Sequence, residues 1–351
     1  MTFENYPHEA SSQLPGVSLP VMRQVILKQA ERSSLRVIED AESRLTVETA
    51  HGLIGLRPGD GSDAAAYVAA ADEHWLFMMK NAVIRQMQHL MPDTASDMRW
   101  SSGPQAGSLP PNFAFVEVTD VAQLGAAFLR LTLKGEGLET HGDDSIHFRF
   151  VLPPEGENPE WPTVASNGSI KWPDGPGAPH KPVYTTRYID QGAGTLVTDV
   201  FIHDGGRITT WAEALINGAR NRRVVGLVGP AGGGLLHADH VLMGADETGF
   251  PAAARLLENM DSGVTGTVLL EAENGEECAY PIEVPQGITL RWLSRSKGES
   301  LGQSTEELLP QSEGATLWFA GERAQAASLR EKARAAGWDK SQMRISGFWT
   351  R

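Results

Sequence analysis

The residues best suited to chemistry in this sequence lie between Val183 and Trp211. Two β-rich runs, Val-Tyr-Thr-Thr-Arg-Tyr-Ile-Asp and Thr-Leu-Val-Thr-Asp-Val-Phe-Ile-His, flank Gly192-Ala193-Gly194. That arrangement signals a hairpin. The second run passes through Gly205-Gly206 into a short helix. Thr210 is the predicted N-cap, with Glu213 three residues on in capping-box position and Gly218 as the stop. A helix start offers free N–H groups and positive dipole character, which suits a pyrophosphate. Glu213 opposes that use, because a carboxylate in the first turn competes for the same donors. An ordinary hairpin and capped helix accounts for these residues equally well without a ligand.

Other candidates are sparser. His237 and His240 are spaced as a ligand pair, but no third ligand accompanies them. Cys278 is the only cysteine, which excludes an internal disulfide and a cysteine-ligated iron–sulfur cluster. Any electron transfer therefore needs an organic cofactor. Gly229-Pro230-Ala231-Gly232-Gly233-Gly234 lacks the spacing of a dinucleotide fingerprint. Basic residues gather at Arg291, Arg295 and Lys297, and again at Arg220, Arg222 and Arg223. Either group serves as an anion site or as a solvated face.

The chain has 351 residues and a net charge of −14. Its length implies two or three domains. Its charge argues against nucleic acid or an anionic membrane as the main partner, so an anionic ligand must be held by a local basic cluster. No apolar run approaches the roughly 18 residues of a membrane-spanning helix. Met1 to Leu14 lacks the basic-then-apolar layout of a signal peptide. A cytoplasmic protein is expected.

Three regions position the candidate residues. In residues 1–95, Ser18 and Pro20 start a helix through Ala30. Strands follow at Leu35–Glu39, Arg44–Thr49, Leu53–Leu56 and Ala64–Ala70. Asp72 caps a second helix whose Trp75, Met79, Val83 and Met87 share a face. The run Ala-His-Gly-Leu-Ile-Gly-Leu in this α+β unit resembles a small domain found beside flavin reductases, and no chemistry attaches to it. His51 and His89 are isolated and read as solvated or core histidines. Residues 96–234 open with a Ser/Gly/Pro-rich linker, Trp100 to Asn112. Strands follow at Phe113–Val118, Ala126–Leu133, Ser145–Leu152 and Arg222–Val228, and with the two runs around Gly192 they predict a six-stranded antiparallel barrel. Within Ser145–Leu152, apolar Ile146, Phe148 and Phe150 alternate with His147 and Arg149. Glu155 to Pro182 is irregular and reads as an insertion or a lid. Residues 235–351 alternate strands with helices, which predicts a parallel α/β sheet with ligands at the strands' carboxyl ends.

A barrel followed by an α/β domain is the layout of ferredoxin-reductase-like flavoproteins. Within that group the chain resembles the siderophore-interacting protein family, the flavin-dependent ferric-siderophore reductases. The resemblance runs from about Asn112 to Arg351 and rests on an ordered set of segments. These are Tyr184-Thr185-Thr186-Arg187, Asp199-Val200-Phe201-Ile202-His203 with Trp211-Ala212, Gly229-Pro230, and Asp246-Glu247-Thr248 with Pro251. Trp318-Phe319-Ala320-Gly321-Glu322 and Gly347-Phe348-Trp349 complete it.

The resemblance implies FAD on the barrel and reduction of chelated Fe(III) to Fe(II), with NADH, NADPH or a reduced carrier protein as donor. It implies that Tyr184 and Thr185 face the isoalloxazine and that Thr186 and Asp199 belong to the cofactor site. Arg187 would lie near the flavin or its phosphates. His203, Thr209, Thr210 and Trp211 would meet the ribityl and pyrophosphate portion, and Asp246 and Thr248 would close the site from the second domain. Pro182 stands where the family usually has arginine, and Arg207 is the expected replacement for that charge. The family's Gly-Pro-Ala-Ser turn is Gly206-Arg207-Ile208-Thr209 here, and Gly249-Phe250 replaces its Ala-Leu. Ferric siderophores are commonly anionic, so Arg295 and Lys297, with Arg291, are the expected substrate contacts beyond a strand's carboxyl end. A different flavin reductase or electron-transfer protein, or a siderophore-binding module without redox function, is the alternative.

Overall fold

Small residues decide how the N-terminal sheet is built. The computed structural model describes residues 5–33, 35–154, 159–219 and 222–350; Arg220 and the start of the expected lid (155–158) lie outside them. Strands β1 (His8–Ser18), β2 (Arg36–Ala41), β3 (Arg44–Thr49), β4 (Gly52–Pro58) and β5 (Asp63–Ala70) form an antiparallel sheet in the order β1-β5-β4-β3-β2. Gly55 leaves room for the Tyr67 ring, which a Cβ there would strike. The Tyr67 hydroxyl instead bonds Thr46 Oγ1 at 2.5 Å. Strand β1 was not expected. Its inward positions include Ser12 beside Ala10 and Leu14, so it lacks an apolar period.

Helices α1 (Leu19–Ser33), α2 (Glu73–Leu90) and α3 (Pro92–Asp97) complete this unit. The predicted cap of α2 is present: Asp72 Oδ1 accepts from Trp75 N at 2.8 Å. Most of the described part of the segment expected as an insertion or a lid, up to Pro179, belongs here too. Compact unit 1 comprises Met1–Phe113 together with Pro153–Pro179. Inside the latter, β9 (Thr163–Val164) and β10 (Ile170–Lys171) form a small hairpin. Asn167 Nδ2 donates to Ala95 O at 2.9 Å, and Asn81 Oδ1 accepts from Ile170 N at 3.2 Å. These buried amides tie residues 163–171 to α2 and α3 within the core of this unit, while Lys181 and Pro182 at the segment's end line a cleft in unit 2. The linker 100–112 falls in unit 1.

Unit 2 comprises Ala114–Leu152 and His180–Arg351. Its first part contains β6 (Phe113–Leu124), β7 (Phe128–Gly135), β8 (His147–Val151), β11 (Val183–Thr185), β12 (Tyr188–Asp190), β13 (Thr195–Phe201) and β14 (Val224–Ala231). They form seven strands in the order β11-β8-β14-β6-β7-β13-β12, where six were expected. The extra strand arises because residues 183–190 break at Thr186-Arg187: β11 pairs with β8 and β12 with β13. The same segment thus closes both ends of the sheet, and Thr198 Oγ1 seals the seam by donating to Thr185 O at 2.8 Å. The hairpin at Gly192-Ala193-Gly194 is as predicted, with Asp190 opposite Thr195.

Helix α4 (Arg207–Ile216) differs from expectation. It begins at N-cap Gly206, four residues before the expected cap Thr210, and its first turn carries no acid. Glu213 therefore lies beyond the free amides. Thr210 does not cap; its hydroxyl bonds back to Gly206 O at 3.1 Å.

The rest of the unit is a parallel sheet of β15 (His240–Asp246), β16 (Thr265–Ala272), β17 (Gly287–Ser294), β18 (Thr316–Glu322) and β19 (Met343–Trp349). The order is β17-β16-β15-β18-β19, with α5 (Phe250–Glu258), α6 (Leu301–Leu308) and α7 (Arg323–Ala335) packed on it. The strand order reverses between β15 and β18, so a crevice opens at their carboxyl ends. Phe128 of the barrel meets Tyr280 and Phe250 at ring distances of 4.5 and 6.0 Å, which joins the barrel and the sheet through one apolar core.

The Asn167 contact makes a specific claim about unit 1. Asn167→Leu leaves the Ala95 carbonyl buried without its donor, a loss of about 1–3 kcal/mol. Amide exchange across residues 163–171 should accelerate while exchange in β13 and β15 is unchanged. Unchanged exchange in 163–171 would show that the segment is held by something else.

Candidate functional site between barrel and sheet

A cleft of about 650 Å³ opens between the barrel face and the carboxyl ends of the parallel strands. Pairing of β8 with β11 builds one wall: Thr185 lies opposite His147, and Val183 opposite Arg149. The predicted alternation in β8 is what turns His147 and Arg149 away from the barrel core, where Phe148 and Phe150 are fully buried. Tyr184 is half-buried at the cleft edge with its ring edge-on to Phe150 at 5.4 Å. Burial pushes its pKa up, so the phenol stays protonated. The opposite wall brings Thr248, Pro251, Arg323 and Phe348.

His147 is a strongly perturbed group of the cleft. Its Nδ1 lies 3.2 Å from Thr185 Oγ1, and its ring meets Phe348 edge-on at 5.7 Å. Gly232 lets the backbone pass the imidazole, since a Cβ there would come within 2.5 Å of the ring. Burial, helped by the charge of Arg255, pushes its pKa down to about 4 against a hydrogen bond to the Tyr184 backbone. His147 is therefore neutral at physiological pH.

The expected cofactor residues divide into two groups. Tyr184, Thr185, Asp199, His203 and Thr248 line the cleft. The His203 ring also lies against the start of α4, where a Cβ on Gly206 would be 2.9 Å from it. Asp246 sits just behind Thr248, accepting from Thr248 N at 3.0 Å and from Trp349 Nε1 at 2.6 Å. Burial raises the pKa of Asp246 against those bonds.

The other residues are committed elsewhere. Arg187 is 2% exposed and forks onto Glu258 of α5 at 2.6 and 3.1 Å, with Nε 3.5 Å from Asp199. Its charge is spent inside the protein rather than offered to a phosphate. Thr186 is buried, with its carbonyl taken by Arg255 at 2.5 Å and its hydroxyl without a hydrogen-bond partner among the described residues. Trp211 packs in the barrel core against Phe150 at 5.4 Å and donates to Arg222 O at 3.0 Å, so its ring is structural. Thr209 Oγ1 accepts from His203 N at 3.3 Å and shapes the turn. Thr210 is exposed, as is Arg207, which stands close enough to His180 to help lower that group's pKa, behind burial as the main cause.

The expected substrate cations do not gather. Arg295 bonds Glu247 at 2.5 Å, Glu271 at 2.8 Å and Glu273 at 3.3 Å. Three carboxylates around one guanidinium leave no positive field for an anionic chelate. Arg291 pairs with Glu299 at 3.3 Å on the outer strand β17, and Lys297 is exposed on the following turn. Neither lines the cleft. A neighbouring cavity of about 510 Å³ shares Phe201, His203 and Glu247 with the cleft and adds Glu273 and Glu277, so it is acidic.

The cations that line the cleft are others: Arg149, Lys181 and Arg323. Arg149 Nη1 donates to Lys181 O at 3.0 Å, and burial together with the Arg149 charge lowers the Lys181 pKa. Two acids that reach the cleft are already matched. Asp199 takes a two-pronged bond from Arg130 at 2.7 and 2.8 Å and one from Tyr280 at 2.7 Å; Glu247 is held by Arg295. The cleft is thus locally cationic in an acidic chain. Its aromatic walls (Tyr184, Phe201, Phe348), its hydroxyl at Thr185 and its cations suit a flat ring system carrying phosphate.

The neutral His147 ties stability to pH. The unfolded histidine titrates near ~6.5 and the folded one near 4. Between those values only the unfolded chain binds the proton, so this group's contribution is full above ~6.5 and is lost as pH falls toward 4. The loss reaches roughly 3 kcal/mol. Urea midpoints of the wild type should fall more steeply than those of His147→Gln over this window, and parallel curves would show that the imidazole is not held neutral.

Comparison with known proteins agrees with this geometry. Residues 117–234 match the siderophore-interacting FAD-binding domain, and residues 238–351 match the siderophore-interacting protein model. The NADPH-dependent ferric-chelate reductase of Escherichia coli (strain K12) is 27% identical over 244 residues, covering 68% of this chain and 92% of that protein. The solved siderophore-interacting protein SipS from Aeromonas hydrophila aligns with a TM-score of 0.57 at 23% identity, over 69% of this chain and 93% of that one. A siderophore utilization protein from T. fusca gives 0.56 at 25% identity, over 68% and 93%. The chain belongs to the siderophore-interacting protein family.

Proposed function

We propose that this protein is a cytoplasmic, FAD-dependent reductase of ferric siderophores that takes its electrons from NADPH. The observation that carries this reading is the cationic, aromatic-walled cleft at the switch point of the parallel sheet. The family match and the named activity of the Escherichia coli relative support it. FAD, when bound, supplies the redox chemistry, passing electrons from the nicotinamide to the ferric ion.

The chain's own residues bind and orient. Tyr184 and Phe348 offer ring surface, and Thr185, positioned by His147, offers a hydroxyl to the edge of the flavin. The amides at the start of α4, free of any first-turn carboxylate, suit the diphosphate, with His203 beside them and Arg207 at the same turn. Thr248, held by Asp246, closes the site from the sheet. Arg149, Lys181 and Arg323 take over the part expected of Arg295, Lys297 and Arg291, attracting an anionic ferric chelate. Reduction weakens the chelate's hold on the metal, so Fe(II) leaves.

The purified protein should show flavin absorbance, bleach with NADPH and regain colour with a ferric siderophore while a chromogenic chelator traps Fe(II). A colourless protein that takes up no added FAD would end the proposal. Bleaching without recovery on any ferric chelate would point to another acceptor. Arg207→Ala should lose FAD about tenfold more readily, the loss of one charge-assisted contact; full retention would remove Arg207 from the site.

A further inference from the structure

The N-terminal unit contains a cavity that the reductase chemistry does not use. It has a volume of about 250 Å³ and lies between α1, α2 and the inner face of the sheet. Val47, Leu56 and Ala66, all fully buried, make its floor. Met22 and Ile26 of α1 face Val83 of α2 across it.

The lining selects its occupant. Cavities this large are rare in close-packed cores, and an apolar one stays dry. None of the lining residues is charged, so an ion would lose its hydration without compensation. The polar groups are Thr49, Gln29 and Gln86. Thr49 Oγ1 is already committed to Gly52 O at 2.8 Å. Gln29 is exposed on α1 and Gln86 half-buried on α2, which places the two amides at the opening between the helices. Gln29 Nε2 bonds Ser33 at 3.0 Å, leaving its carbonyl oxygen, and Gln86 makes no hydrogen bond among the described residues.

Size narrows the class further. A cavity of roughly 150 Å³ holds a benzene, so the larger volume here suits a two-ring molecule, while a helix about 10 Å across does not fit. We propose that the N-terminal unit binds a neutral, two-ring-sized apolar molecule bearing one hydrogen-bonding group, its rings against Val47 and Ala66 and its polar group at Gln29 and Gln86. This inference stands on unit 1 alone and does not depend on the reductase reading.

The test uses the full chain and 1-aminonaphthalene, which is neutral at pH 8. Its emission should rise and shift to the blue saturably, with one site per chain. Ala66→Leu, which fills the floor, and Ala82→Trp, which covers the opening from an exposed position, should each weaken binding at least tenfold. Circular dichroism and flavin content should match the wild type, so a failed fold or an emptied cleft is recognised separately. 1-Naphthoate, of similar size but anionic, should bind at least tenfold more weakly. Absence of saturable binding to the wild type, equal binding by both variants, or equal affinity for the anion would overturn the proposal. So would a dimer, seen by light scattering, that Ala82→Trp dissolves, because a second copy would then be the occupant.

Discussion

Unit 2 depends on a buried carboxylate, Asp199, and on what surrounds it. Arg130 and Tyr280 satisfy its oxygens, and Arg187 stands 3.5 Å away while gripping Glu258 of α5. From the opposite side Arg255 of α5 reaches Thr186 O, Gly142 O and Asp143 of the barrel. Burying so many ions is tolerated only because nearly every one has a partner; removing any single member would strand another in low dielectric. The network therefore fixes how barrel and sheet meet, and the cleft is the space that this fixed meeting leaves open. Residues that sequence resemblance associates with the flavin, Arg187 and Asp199, act here by holding the walls in place.

The same logic explains the electrostatics. A chain with net charge −14 presents a cationic cleft because its nearby acids are neutralised internally, Asp199 by Arg130 and Glu247 by Arg295. Arg149, Lys181 and Arg323 then set the sign of the charge that lines this space. Arg295 serves the cleft indirectly, by silencing a carboxylate.

The order of elements was legible in the sequence because apolar period and turn chemistry are local. The hairpin at Gly192, the Asp72 cap and the alternating strands of the α/β part all follow from neighbours a few residues apart. Strand β1 was not legible, since its inward face is built of Ser12, Ala10 and Leu14 and shows no hydrophobic stripe. The start of α4 was not legible because Gly206 caps it by backbone conformation alone, whereas Thr210 offers a familiar capping side chain four residues further on. The candidate site was legible as to strand and motif but not as to which cations reach the cleft. Charge pairing joins Arg295 to Glu247, 48 residues away, and Arg187 to Glu258, 71 residues away, and nothing local records it. His147 and Arg149 were visible as the polar face of their strand; their chemistry emerged only when β11 was laid beside them.

The chain crosses between its two compact units three times, after Phe113, Leu152 and Pro179. The N-terminal unit is thus assembled from two stretches separated by β6, β7 and β8 of the barrel. During synthesis it must wait for Asn167 and its hairpin to emerge from the ribosome, by which point the first barrel strands have already been made. The two units cannot mature strictly one after the other, and cutting the gene at residue 113 would not release a finished module.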